Sequence, residues 1–245
     1  MNFLSVENTA NIFTRFSLFH FIWIGVCILI CLFMFLRRRT IRRNFSGRWY
    51  YIFMAFFAFF FEMIYIVWAY AISGEQNIIY AIPFDFTFIA MVLSILLFFS
   101  RKQIFYDLFY FISFFSIINL IFADFGGYGY THFRFYQFFI CNIFVVFSLI
   151  YFTFVDYHNI KHIKSVVHYG VFIFFVLLLN GLLSFVSQKN YINEIMCYIP
   201  AKINAFAGNF GSVAIITFIC IALAFVAFVP WYLWNKEKES EHIVN

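Results

Sequence analysis

The strongest constraint on this chain is the recurrence, from Ser17 to Trp234, of apolar runs separated by short polar connections. A run of roughly 20 mainly apolar residues is long enough to cross the hydrocarbon of a bilayer as a helix. In hydrocarbon a helix satisfies every main-chain N–H and C=O within its own segment, so such runs have little other choice of structure. The runs predict spans at residues 17–36, 49–72, 78–99, 104–122, 133–155, 165–187 and 208–234. The expected fold class is all-α: a polytopic, multi-pass protein of the cell membrane with a bundle of about seven transmembrane helices. Residues 1–245 are expected to form a single integral membrane domain. The segment Gln188–Ala207 is the long connection, with a short interfacial helix expected to end near Pro200.

Charge sets the expected orientation. Arg37, Arg38, Arg39, Arg42, Arg43, Arg48, Arg101, Lys102, Lys161, Lys164, Lys236 and Lys238 fall on one side of the predicted bundle. Arg15, Arg134, Lys189 and Lys202 fall on the other. Under the positive-inside rule the first set is cytoplasmic, which puts the N-terminus outside and the C-terminus inside. The six arginines from Arg37 to Arg48 are expected to anchor that topology by touching anionic headgroups. The formal charge of +5 is thus a matter of placement. No basic domain is present to hold nucleic acid, and the partners expected are membrane lipids. Protein partners are not indicated by any motif.

Several chemistries find no support. The five cysteines form no CxxC pair, and four lie in apolar runs, which points to buried thiols. Cys27 and Cys31 share a helix face and are expected to pack. GxSxG, HExxH, P-loop and GxGxxG signatures are absent, and the glycines of FGGYGY are expected to serve a turn. His158, His162 and His168 lie among lysines without carboxylate or cysteine partners, so no metal and no cofactor is expected. No basic segment precedes the first apolar run, so a removable signal peptide is not expected. The 43 phenylalanines, with abundant Ile, Tyr and Asn, suggest a drift towards AT-rich codons, which devalues any aromatic stripe.

Against that background polarity concentrates in Tyr128–Asn142, YGYTHFRFYQFFICN. Polar groups at membrane depth are costly and mark sites by default. At a rise of about 1.5 Å per residue, His132, Arg134 and Gln137 lie within roughly the first 10 Å of the outer side. Arg134, Gln137 and Cys141 share a helical face. Asp85 on the third span, Asn119 on the fourth and His20 on the first are expected at comparable depth, with Asn142 and Glu62 deeper. Together they suggest a polar cavity open to the outer leaflet. Asp85 is either a first-turn carboxylate favoured by the helix dipole or a partner of Arg134. Glu62 needs a partner or a proton.

The stretch YGYTHFRFYQFF, Tyr128–Phe139, closely resembles the YGxPHFRFxQFF signature of the YwaF family of bacterial integral membrane proteins. FSLFH at Phe16–His20, IPFDF at Ile82–Phe86, Asn190–Tyr191 and Val229–Pro230 fit the same family. Its architecture is similar to that of eukaryotic seven-helix lipid acyltransferases and androgen-induced fatty-acid-ester hydrolases. The resemblance implies lipid handling, with acyl transfer or ester hydrolysis by a Cys or Thr nucleophile and a His. It would make Thr87 the nucleophile and His132 the base, with Arg134 and Gln137 holding phosphate or oxyanion. Asp85, Asn119, Asn142, Glu62 and His20 would complete the substrate site. The family's LPLHLC motif has Asp85 at its His position and Thr87 at its Cys position here, and Asn142 replaces a second histidine. The residues alone leave two alternatives: a small-solute or lipid permease with Glu62 as coupling carboxylate, or a non-catalytic partner subunit.

Overall fold

A computed structural model describes residues 3–4, 12–71, 81–124, 128–187 and 201–244. Its helices are α1 Leu18–Asn44, α2 Arg48–Ala71, α3 Phe86–Ser100, α4 Gln103–Ile121, α5 Phe133–Ile150, α6 Lys164–Ser187 and α7 Ala201–Val244. A π-helical turn, Tyr151–Val155, continues α5. Six of these seven described helices are long and apolar enough to cross a membrane, and α3 is the shorter one. The protein is therefore a multi-span membrane protein. The expected turn at Ser73–Gln76 and the interfacial helix ending near Pro200 lie outside the described residues.

α7 covers Ala201–Val244 where a span at 208–234 was expected, and two further boundaries differ from expectation for physical reasons. The arginine-rich stretch after Leu36, expected as a loop, continues α1 to Asn44. Arginine is a good helix former, and cations favour the negative end of the helix dipole, so nothing stops the helix before Phe45. At the other side, α3 begins at Phe86 and not near Ile78. Asp85 caps its N-terminus and Pro83 precedes the cap.

The most apolar stretches of α4 and α5 are 61% and 67% buried, against 17% for α1, so α4 and α5 form the middle of the bundle. α3 packs between α2 and α4, while α6 joins α4 to α7. α1 lies on α5 and the π turn. Between α1 and α2 runs an apolar groove of about 310 Å³, walled by Trp23, Ile30, Phe53 and Phe57 and floored by Ile143 and Phe144 of α5.

Side-chain bonds tie the arginine-rich end together. The Tyr151 hydroxyl lies 2.9 Å from the Phe45 carbonyl and 3.2 Å from the Tyr51 hydroxyl, which itself donates to Asp156 at 3.2 Å. The Arg101 guanidinium stacks 3.5 Å above the Tyr51 ring. Asp107, buried in α4, accepts from Gln103 and Ser165, each at 2.6 Å. A buried carboxylate is tolerated where its lone pairs are met in this way.

α6 and α7 meet closely at Gly170, where a Cβ would lie 3.0 Å from the Ile221 side chain. Small residues permit such approach between membrane helices. Gly170→Val is expected to lower the thermal midpoint in detergent, with an overpacking cost of about 1–3 kcal/mol. Gly25→Ala, inside α1 with open space around it, is the control expected to keep the midpoint or raise it slightly. Equal midpoints for both variants would show that the α6–α7 contact is loose.

Candidate functional site

The short third helix makes the site. Fifteen residues at about 1.5 Å each reach only about 22 Å, short of the roughly 30 Å of bilayer hydrocarbon. The C-terminal end of α3 is fixed by Arg101 on Tyr51, beside the first turn of α2. Its other end therefore stops before α2 does, leaving Ile82–Asp85 without helical structure at membrane depth. Irregular backbone at that depth is tolerated where protein buries it or where it lines a polar cavity. Both conditions are met. The Asn180 amide donates to the Phe84 carbonyl at 2.8 Å, and Asp85 Oδ1 accepts the Phe88 N–H at 2.7 Å.

The cavity opened by this arrangement is lined by Glu62 of α2, by Pro83, Asp85 and Thr87 at the start of α3, and by Arg134, Gln137, Cys141 and Asn142 of α5. It measures about 30 Å³, room for about two waters at roughly 10–15 Å³ apiece. Thr87 Oγ1 donates to Asn142 Oδ1 at 3.0 Å and accepts from Asn119 Nδ2 at 2.9 Å. Asn142 Nδ2 in turn donates to the Phe138 carbonyl at 2.8 Å. A hydroxyl and two amides thus join α3, α4 and α5 in one chain of bonds.

Opposite this chain the lining is charged. Arg134 Nη1 donates to Gln137 Oε1 at 2.6 Å, and its guanidinium lies 4.2 Å from the centre of the Tyr65 ring. Gln137 Nε2 reaches Cys141 Sγ at 3.5 Å, and the Cys141 thiol lies against Glu62. Glu62 is 3% exposed, and its Oε2 has no hydrogen-bond partner among the described residues. A carboxyl oxygen withdrawn from water without a partner is expensive, so the cavity favours whatever supplies a donor there.

Seven of the nine residues expected at the site are thus together: Asp85, Thr87, Asn119, Asn142, Arg134, Gln137 and Glu62. The two histidines are placed differently. His132 is the N-cap of α5: its Nδ1 accepts the Arg134 N–H at 3.0 Å, and its ring stacks on Tyr128. It is not among the cavity-lining residues. His20 is fully buried, with Nδ1 accepting the Phe16 N–H at 2.9 Å and Nε2 2.7 Å from the Leu120 carbonyl. It fastens α1 to the end of α4. Cys141 and the Tyr65 ring are the additions. The helical face shared with Arg134 and Gln137 pointed to the cysteine, whereas nothing in the α2 sequence singled out the tyrosine.

The model of the TMEM164 family matches residues 15–233, which take in all of the cavity. The chain belongs to the TMEM164 family. No curated protein and no solved structure matches it. In this TMEM164-family chain no three His, Cys, Asp or Glu side chains are grouped to hold a metal ion among the described residues. The arrangement instead suits a small group that presents donors to Glu62 and Asp85 and an acceptor to Arg134.

Thr87→Val and Asn142→Leu are expected to lower stability non-additively, because each removes the partner of the other. A coupling of about 0.6 kcal/mol, and at most about 1.7, is expected from hydrogen bonds between membrane helices. A double-mutant cycle of thermal midpoints measures it, and strict additivity would mean that the 3.0 Å contact contributes no energy.

Proposed function

We propose that this TMEM164-family protein, of the YwaF type, handles lipid in the cell membrane. In this reading the cavity, with room for about two waters, takes in only a small polar group of a lipid head, with Glu62 and Asp85 as acceptors and Arg134 on a phosphate or carbonyl oxygen at its edge. The observation that carries the reading is Glu62, a buried carboxyl with an unpartnered oxygen in a cavity that opens where α3 stops short. The charge bias of the connections supports an outer-leaflet position for it.

Chemistry at Thr87 is the second reading, favoured by one observation. Thr87 and Asn142, which occupy the Cys and His positions of the resembled motifs, touch at 3.0 Å. A nucleophilic hydroxyl needs a neighbour that takes its proton. Asn142 accepts the hydroxyl hydrogen bond but does not take up a proton, and His132 is engaged at the cap of α5. The contact therefore supports holding a group over attacking it. A permease would instead use Glu62 as its coupling carboxylate.

The deciding experiment is lipid mass spectrometry on the purified protein in nanodiscs, with labelled phospholipid and lysophospholipid added. Binding without catalysis predicts a lipid retained by wild type, lost from Glu62→Gln and Arg134→Gln, and unchanged in its acyl chains. New acyl species that disappear in both Thr87→Val and His132→Ala would replace this reading by the enzymatic one. Solute uptake that depends on pH and vanishes in Glu62→Gln would replace it by the permease.

A further inference from the structure

A second cavity, of about 590 Å³, lies at the opposite, arginine-rich end of the bundle. Arg38 and Arg39 of α1 form one wall, Thr153 of the π turn and His158 the floor, and Trp231 and Trp234 of α7 the other wall. No carboxylate is among its described lining residues. Asp156, the acid on the same connection, is already engaged by the Tyr51 hydroxyl and by His158 Nδ1 at 3.5 Å. Among the described residues the charged groups that line the cavity are thus cations.

Its cations are positioned by more than chance contact. Arg38 is half-buried with its guanidinium 4.7 Å from the centre of the Phe35 ring, and the lining residue Tyr157 is itself held by Arg42, outside the cavity, at 4.4 Å. Tyr157 adopts φ 58°, an uncommon conformation for a tyrosine, immediately after the π turn that widens the end of α5. π turns within helices accompany functional sites often enough to mark one here. Trp231 is packed edge-on against Tyr110, which fixes that wall of the cavity.

We propose that this cavity binds the phosphate of an anionic phospholipid, with Arg38 and Arg39 on the phosphate and Trp231 and Trp234 beside the glycerol. Basic pockets between membrane helices suit such headgroups, and tryptophan favours the headgroup level. The apolar flanks decide for a lipid over a soluble phosphate ester. Phe35 of α1, Phe154 of the π turn and Trp234 of α7 line the cavity and are themselves exposed, an apolar rim ready to receive acyl chains. A soluble ester has no use for them.

The test uses the full chain, delipidated in a neutral detergent, then given equal phosphatidylglycerol and phosphatidylcholine with matched acyl chains. Native mass spectrometry counts the lipid retained. Wild type is expected to prefer phosphatidylglycerol by about tenfold, in line with the attraction of two arginines to anionic lipid. Arg38→Gln/Arg39→Gln is expected to lose the preference. Arg37→Gln/Arg43→Gln removes the same charge outside the cavity and is expected to keep it. Trp234→Ala, whose ring is half-exposed, supplies a second lining variant should the double arginine variant misfold, and is expected to reduce retention. Equal retention of the two lipids by wild type, or equal loss in both arginine pairs, would overturn the proposal. Displacement of the lipid by millimolar glycerol phosphate would overturn the lipid assignment in favour of a soluble ester. Glu62→Gln is expected to keep the preference, so this site and the polar cavity stand or fall separately.

Discussion

Hydrocarbon offers a peptide group no hydrogen bond, and that constraint governs the structure from the helix count down to the site. Six helices meet it alone by being long and apolar. The third does not, and the protein compensates with side chains. Asn180 serves the Phe84 carbonyl, Asp85 serves the first turn of α3, and Asn119 and Asn142 surround Thr87. The polar cavity follows from the same shortfall. Where α3 stops, room is left beside α2 and α5, and the residues that face that room are those least suited to lipid.

The helices were legible in the sequence because hydrophobic length is a one-dimensional property. The start of α3 was not, since the apolar count runs unbroken from Ile78 while Pro83 and Asp85 decide the start locally. The polar positions within the spans were also legible, and seven of them, from four helices, come together. Rotation about each span was not. A helix apolar on every side shows no amphipathic stripe to orient it, and α1 is such a helix. His20 accordingly bonds to the end of α4 and is not in the cavity lining. His132 lies outside that lining for another reason: a residue at a helix boundary is as readily a cap as a site, and here its ring nitrogen accepts the Arg134 amide. The π turn after α5 carries no sequence signal of its own, so the cavity built around it was invisible until the chain was folded.

The two cavities divide the molecule by charge. At one end Glu62 and Asp85 outnumber Arg134, and every polar atom sits within a narrow space. At the other, arginines stacked on aromatic rings surround a wide opening. α5 connects them: its first three turns carry the polar lining, its middle floors the apolar groove, and its π turn shapes the basic end. One helix thus borders a polar cavity, an apolar groove and a basic opening in turn.

The placement of α1 also has a consequence for biosynthesis. It leaves the ribosome before the other helices, yet its packing partners are α5 and the π turn, whose sequence lies about a hundred residues later. Until those residues are inserted, α1 has no groove to enter and must wait in the bilayer as a lone span. His20 then closes the joint by reaching the carbonyl of Leu120. Docking of α1 thus waits for α5, and a ribosome stalled before α5 would leave a membrane intermediate with α1 undocked.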